Sequence, residues 1–183
     1  MQKLLIAGLG NPGPQYHYNR HNIGFLVLDA LASKLDLSFK ESKSLKSLVA
    51  SSPSLILCKP LTFMNLSGEA ILRCKDYYKI ETLLVVHDEL EIGIGALRFK
   101  RGGGHGGHNG LKSIDQHCGN NYIRARCGIG RPREGGDVAK YVLSDFDANP
   151  KDLIEQCTQA LLDFINHQNL QMMQNAFTLK GEK

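Results

Sequence analysis

No stretch of the chain reaches the ~18 consecutive apolar residues that a membrane-crossing helix needs. The first apolar run, at residues 4–9, is short and ends at Gly10, unlike a secretory signal. The expectation is a soluble cytoplasmic protein without an export signal and with no membrane partner. The cysteines, Cys58, Cys74, Cys118, Cys127 and Cys157, are odd in number and form no C-x-x-C pair. A disulfide framework or a zinc finger is therefore unsupported, and the thiols read as small, reduced apolar residues. There is no G-x-S-x-G elbow and no cysteine in a known nucleophile turn, so water is the simplest nucleophile for any hydrolysis. Internal repeats and low-complexity linkers are also missing, and 183 residues fit one domain spanning 1–183. With 42% hydrophobic and 22% charged residues, the composition excludes a disordered or fibrous chain.

The formal charge of +4 says little until its distribution is read. Residues 98–133 carry Arg98, Lys100, Arg101, Lys112, Arg124, Arg126, Arg131 and Arg133 against the single acid Asp115, whereas acids outnumber lysines from 134 onward. A positive segment beside an acidic tail is the footprint of a protein that meets phosphates with one face.

Residues 4–7 form a continuous apolar run closed by Gly8, as in a buried parallel strand. From Asn22, a possible cap, Ile23, Leu26, Val27, Ala30, Leu31 and Leu35 recur at helical spacing. Strands at 48–50 and 55–58 flank a Ser-Ser-Pro-Ser turn, and 65–78 reads as a helix with Ile71, Leu72 and Cys74 inward. Residues 83–86 are the central strand, delivering His87 and Asp88 at its end. A strand at 96–100, a glycine-rich loop, a helix at 110–117 and a strand at 123–128 follow. A short surface helix at 137–143 precedes a long helix to about 167, with Asn149 as cap and Pro150 in its first turn. The fold class is α/β, a single domain with a twisted mixed sheet flanked by helices. Ligand sites in such sheets gather at strand carboxyl ends, where Asn11, His21, Asp88 and the glycine loop all fall.

Gly8-Leu9-Gly10-Asn11-Pro12-Gly13 spells a dinucleotide fingerprint, but Pro12 and Pro14 bracket Gly13 and the helix begins only near Asn22. The loop reads instead as a stiff platform presenting Asn11 and Tyr16. His21 and Asp88 offer a base and a carboxylate to fix its tautomer. His105 and His108, three apart, raise the possibility of a metal, against which stand flexible glycines and no adjacent acid. Asn65-Leu66-Ser67 matches a glycosylation acceptor only by chance in a chain that is not exported.

Four ordered blocks then resemble the bacterial peptidyl-tRNA hydrolase family over essentially the whole chain. They are residues 8–13 with Tyr16 and Arg20-His21-Asn22-x-Gly24-Phe25, then Lys59-Pro60-Leu61-Thr62-Phe63-Met64-Asn65-x-Ser67-Gly68, then His87-Asp88-Glu89-Leu90, and finally residues 102–112. The departures are Asn19 in place of Thr, Phe63 in place of Tyr, and Gly93-Ile94 in place of two prolines. The resemblance implies a monomeric enzyme, without cofactor or metal, that hydrolyses the ester between a nascent peptide and tRNA and so recycles tRNA from stalled or aborted translation. It implies His21 as general base, Asp88 as its partner, and Asn11 as the sensor of the first peptide bond. Tyr16, Phe63, Asn65, Asn109 and His108 are expected around the peptide and the CCA end, and Lys100 with Arg126 on the 5′ phosphate of the acceptor stem. A non-catalytic RNA-binding module and a metal-dependent hydrolase are the competing classes.

Overall fold

The computed structural model describes residues 2–182. One mixed sheet contains β1 (Leu4–Gly8), β2 (Lys40–Ser42), β3 (Ser47–Ser51), β4 (Leu55–Pro60), β5 (Thr82–Glu89), β6 (Leu97–Arg101) and β7 (Ile123–Gly128) in the order β2-β3-β4-β1-β5-β7-β6. β1 runs parallel to β4 and β5, and β5 parallel to β7, while β2–β3, β3–β4 and β6–β7 are antiparallel. Helices α1 (Ile23–Lys34), α5 (Lys151–His167) and α6 (Leu170–Phe177) cover one face; α2 (Ser67–Tyr78) and α3 (Asn109–Cys118) cover the other. The central strands are apolar on both sides because both faces are covered: Leu4, Ile6, Leu84 and Val86 pack toward α1 and α5, and Leu5, Ala7, Leu83 and Val85 toward α2 and α3. The short α4 (Val138–Val142) stands apart at the carboxyl edge.

Several local expectations need correction. Asn22 occupies the N-cap position of α1 but makes no capping bond, because its amide is committed to Asn11. Pro150 itself is the N-cap of α5, and Asn149 lies outside it. Residues 64–66 form a 3-10 turn ahead of α2, and Leu72 is only half-buried. The glycine loop does not leave β6 at the ligand edge, since β6 is antiparallel to its neighbour and ends at the opposite edge. The loop travels back toward the site: Gly102 donates to the Tyr122 carbonyl, and the Arg124 guanidinium donates to the carbonyls of Gly103 (2.7 Å) and Gly104 (2.6 Å). Gly102, Gly103, Gly106 and Gly107 all take positive φ on that return, which explains why the loop is glycine.

Two further glycines bring α1 onto β1. A Cβ on Gly8 would strike the Gly24 carbonyl, and one on Gly24 would strike the Leu9 backbone. This close approach seats the turn ahead of α1, at residues 20–22, on the carboxyl ends of β1 and β5. At Gly93 a Cβ would meet the Glu182 carbonyl, because residues 179–182 lie along the 94–97 segment with hydrogen bonds from Leu179 to Leu97 and from Glu182 to Ile94.

Candidate active site

Asp88 is the penultimate residue of β5 and is 3% exposed. Each of its carboxylate oxygens meets a different histidine: His21 Nδ1 lies 2.8 Å from Oδ2, and His108 Nε2 lies 2.7 Å from Oδ1. His21 comes from the turn before α1 and His108 from the cap of α3, one from each helical layer. Hydrogen bonds fix the tautomers. His108 Nδ1 accepts from the backbone N–H groups of Gly110 (3.1 Å) and Leu111 (3.3 Å), so its proton sits on Nε2 and is donated to Asp88. Asp88 also accepts from His21 Nδ1–H, leaving His21 Nε2 as the basic nitrogen.

The electrostatics agree with this arrangement. Burial disfavours the charged imidazole of His21, but the charge of Asp88 and its hydrogen bond outweigh it and raise the pKa above the ordinary histidine value. Burial likewise disfavours the Asp88 carboxylate, yet the charge that His21 takes on and the hydrogen bonds from His21 and His108 hold it well below the usual range. Next to it, His87 is sealed from solvent, and burial, the largest cause, lowers its pKa to about 4. Its Nδ1 donates to the Asp88 carbonyl at 2.8 Å and its ring meets His108 edge-on with centroids 5.4 Å apart.

Asn11 is held at both ends. Asn22 accepts from its backbone N–H and donates to its carbonyl, each at 2.9 Å, and Asn11 Oδ1 accepts from Met64 N–H at 2.8 Å. Since that oxygen must face a donor, the Asn11 side-chain NH₂ is the group left to meet a ligand.

Two cavities adjoin at His21. One of 420 Å³ is lined by Asp88, Glu89, Gly106, Gly107 and His108, and one of 300 Å³ by Asn11, Phe63, Met64 and Asn65. His21, Asn109, Ala139 and Val142 line both, so α4 is their common wall. Phe63 is half-exposed with φ 61°, a strained conformation for a non-glycine residue at a ligand site. Tyr16 lines neither cavity and sits behind Phe63, edge to face at 6.4 Å.

Away from the cavities, the β6–β7 pair sets Lys100 opposite Arg124 and Arg98 opposite Arg126. Like charges facing each other across strands are destabilising, so a bound anion would relieve them. Arg126 Nε donates to Glu89 at 2.9 Å and Arg124 lies 3.8 Å from Asp115, which leaves Lys100 and Arg98 without an acidic partner among the described residues. Partial burial, then Arg126 and Arg124, lower the Lys100 pKa.

The sequence profile of the family described as peptidyl-tRNA hydrolase matches residues 5–183. The chain belongs to the peptidyl-tRNA hydrolase family. A peptidyl-tRNA hydrolase of Helicobacter pylori strain P12 is 49% identical over 180 residues, covering 96% of this chain and 95% of that protein. One of Aliarcobacter butzleri is 44% identical over 182 residues, covering 96% and 99%. The crystal structure of peptidyl-tRNA hydrolase from Acinetobacter baumannii superposes with a TM-score of 0.86 at 34% identity and covers 96% of each chain. Membership of this hydrolase family makes the chain an enzyme of peptidyl-tRNA hydrolysis and identifies its sheet and helices as the family fold.

Among the described residues, His21, Asp88 and His108 are close enough to be considered as metal ligands. They do not fit one: both His108 nitrogens are committed, Nδ1 as acceptor of backbone donors and Nε2–H as donor to Asp88, so His108 has no lone pair left to give. The acid thought to be missing near His108 is Asp88, which strand pairing supplies and spacing could not reveal. His105 stays exposed, its Nδ1 accepting from Gly107 N–H. Sequence reasoning did not foresee Asn22 as the brace of Asn11, Arg124 as the anchor of the glycine loop, or α4 as the cavity wall. The apolar Val138, Ala139 and Val142 after a glycine pair were the only available signal for that wall.

Proposed function

We propose that His21 is the general base of peptidyl-tRNA hydrolysis, taking a proton from water on Nε2 while Asp88 holds Nδ1–H and stabilises the imidazolium that forms. The observation that carries this reading is the double acceptance by Asp88, which leaves Nε2 as the one uncommitted nitrogen of the His21–Asp88–His108 cluster, on a residue that lines both cavities. The Asn11 NH₂ donates to the carbonyl of the first peptide bond, a group that an aminoacyl-tRNA with a free amine lacks. Asn65 and Asn109, neutral amides, pair with the peptide backbone without reading its side chains, and the Asn109 amide donates to the developing oxyanion. Phe63, backed by Tyr16, covers the peptide side, and His108 bounds the side taking the 3′ CCA end. Lys100 and Arg126 bind the 5′ phosphate of the acceptor stem; Lys100, which has no acidic partner among the described residues and faces Arg124 across the strands, supports this reading.

The enzyme works as a monomer in the cytoplasm, releasing tRNA from aborted translation; among the described residues no helix is long and apolar enough to cross a membrane. The test is turnover of a defined peptidyl-tRNA by His21→Ala. A loss of about 10²–10⁴-fold in kcat with substrate binding retained is expected for removal of a general base. Turnover near wild type would exclude His21 from that role.

A further inference from the structure

Arg20, the residue before His21, is 5% exposed, and its guanidinium is spent on the end of α4 and the segment that follows it, which close the cavity wall. Nη1 donates to Ser144 Oγ at 2.7 Å and to the Asp145 carbonyl at 2.8 Å, with longer bonds to the carbonyls of Ser144 (3.3 Å) and Tyr141 (3.4 Å). Nη2 donates to Asp147 at 3.1 Å, and the guanidinium lies over the Tyr141 ring, 4.1 Å from its centroid. The backbone continues the seam: Arg20 N–H donates to Ser144 O, and Asn19 pairs with Asp145 both as an isolated bridge and through its side-chain amide at 2.9 Å.

α4 cannot hold this position unaided. It has five residues, of which only Val142 is buried, and a helix this short is unstable by itself. Its other tie is the Tyr141 hydroxyl, which donates to the Ile129 carbonyl. A cation donating to carbonyls at a helix C-terminus satisfies groups that otherwise lack partners.

We propose that Arg20 is a positioning residue for the reaction: by tying the end of α4 to the turn that carries His21, it makes the cavity wall and the base a single body. The proposal rests on the reading that the two cavities receive the ends of the substrate that meet at the ester. With Arg20 removed, the wall occupies its place only part of the time, and apparent affinity falls by that fraction.

Amide hydrogen exchange and steady-state kinetics on Arg20→Ala, Arg20→Lys and Ser144→Ala test it. In Arg20→Ala, exchange at residues 139–146 should rise by about tenfold while β5 and β7 stay protected, and KM should rise by roughly the same factor. kcat should change by less than about threefold, and the acidic limb of the pH profile should stay in place, because the His21–Asp88 pair is intact. Arg20→Lys should recover part of both effects, since one ammonium satisfies fewer of these acceptors. Ser144→Ala, which deletes one bond, should move both in the same direction by less, and serves if Arg20→Ala does not fold. Unchanged exchange in the folded variants, or a loss of kcat at constant KM, would overturn the proposal. Faster wall exchange at unchanged KM would overturn it too, by showing that the wall does not meet the substrate. Failure of the catalytic reading is seen separately, as turnover surviving in His21→Ala.

Discussion

The carboxyl edge around Asp88 and the cationic edge of β6–β7 belong to one sheet and are built on opposite principles. Around Asp88 the side chains are buried, and hydrogen bonds dictate which atom carries each proton: two histidines on one carboxylate, backbone donors on His108, Met64 N–H on Asn11. Along β6–β7 the charges face one another with few acids to balance them. The first region is organised before substrate arrives, as charge development in a transition state requires. Under the proposed reading the second is completed by the substrate's phosphate, and its contribution depends on salt. Substitutions in the two regions should therefore separate: buried ones should change chemistry and pH dependence, and cationic ones affinity and salt dependence.

The largest effect on stability is expected at His87. Its folded pKa of about 4 lies below the ordinary 6.5, so the unfolded chain takes up a proton first and stability falls as pH drops between these values. The loss amounts to ~3 kcal/mol. His21, with a raised pKa, contributes the opposite slope at higher pH, its stabilisation being lost as pH rises through the folded value. Urea unfolding of His87→Phe from pH 7 to 4 should show a flatter acid decline than wild type; parallel curves would mean that His87 is not held neutral. Next, Asn11→Ala should lower hydrolysis of peptidyl-tRNA by about 10²-fold while sparing aminoacyl-tRNA, because one oriented donor is lost. A constant ratio between the two substrates would remove Asn11 from discrimination.

The smallest effects belong to the cationic edge. Lys100→Ala or Arg126→Ala should raise KM several-fold and reduce the slope of log KM against log salt by about one unit. Stripping the 5′ phosphate from the tRNA should then cost the variants little more. Losses that add independently would place these residues elsewhere on the tRNA.

Much of this was legible in advance for identifiable physical reasons. Continuous apolar runs marked β1, β4 and β5 because both faces of the sheet are covered, and His21 and Asp88 stood out because strand ends carry ligands in this architecture. β2 escaped notice because Lys40-Glu41-Ser42 is an exposed, charged edge with no apolar pattern. α6 escaped because it is only eight residues long and Met173 alone is fully buried, with Leu170 and Phe177 packed part-way against the core. Asn22 looked like a cap because asparagine before a helix usually is one; only tertiary contact diverts its amide to Asn11. Arg20 stood out only as a neighbour of His21 and Arg124 only as part of the positive segment, since a sequence does not show which guanidinium is buried against carbonyls.

The pH dependence of kcat/KM in wild type and Asp88→Asn bears most directly on the His21–Asp88 pair. An asparagine that accepts from His108 would turn its NH₂ toward His21 Nδ1, moving the imidazole proton onto Nε2 and removing the carboxylate that favours the imidazolium. The wild-type acidic limb should lie above the ordinary histidine value. In Asp88→Asn the rate should fall by about 10²–10⁴-fold and the limb should move to lower pH. An Asp88→Asn enzyme of near-normal rate with its limb unmoved would contradict the assignment of His21 as a base governed by Asp88.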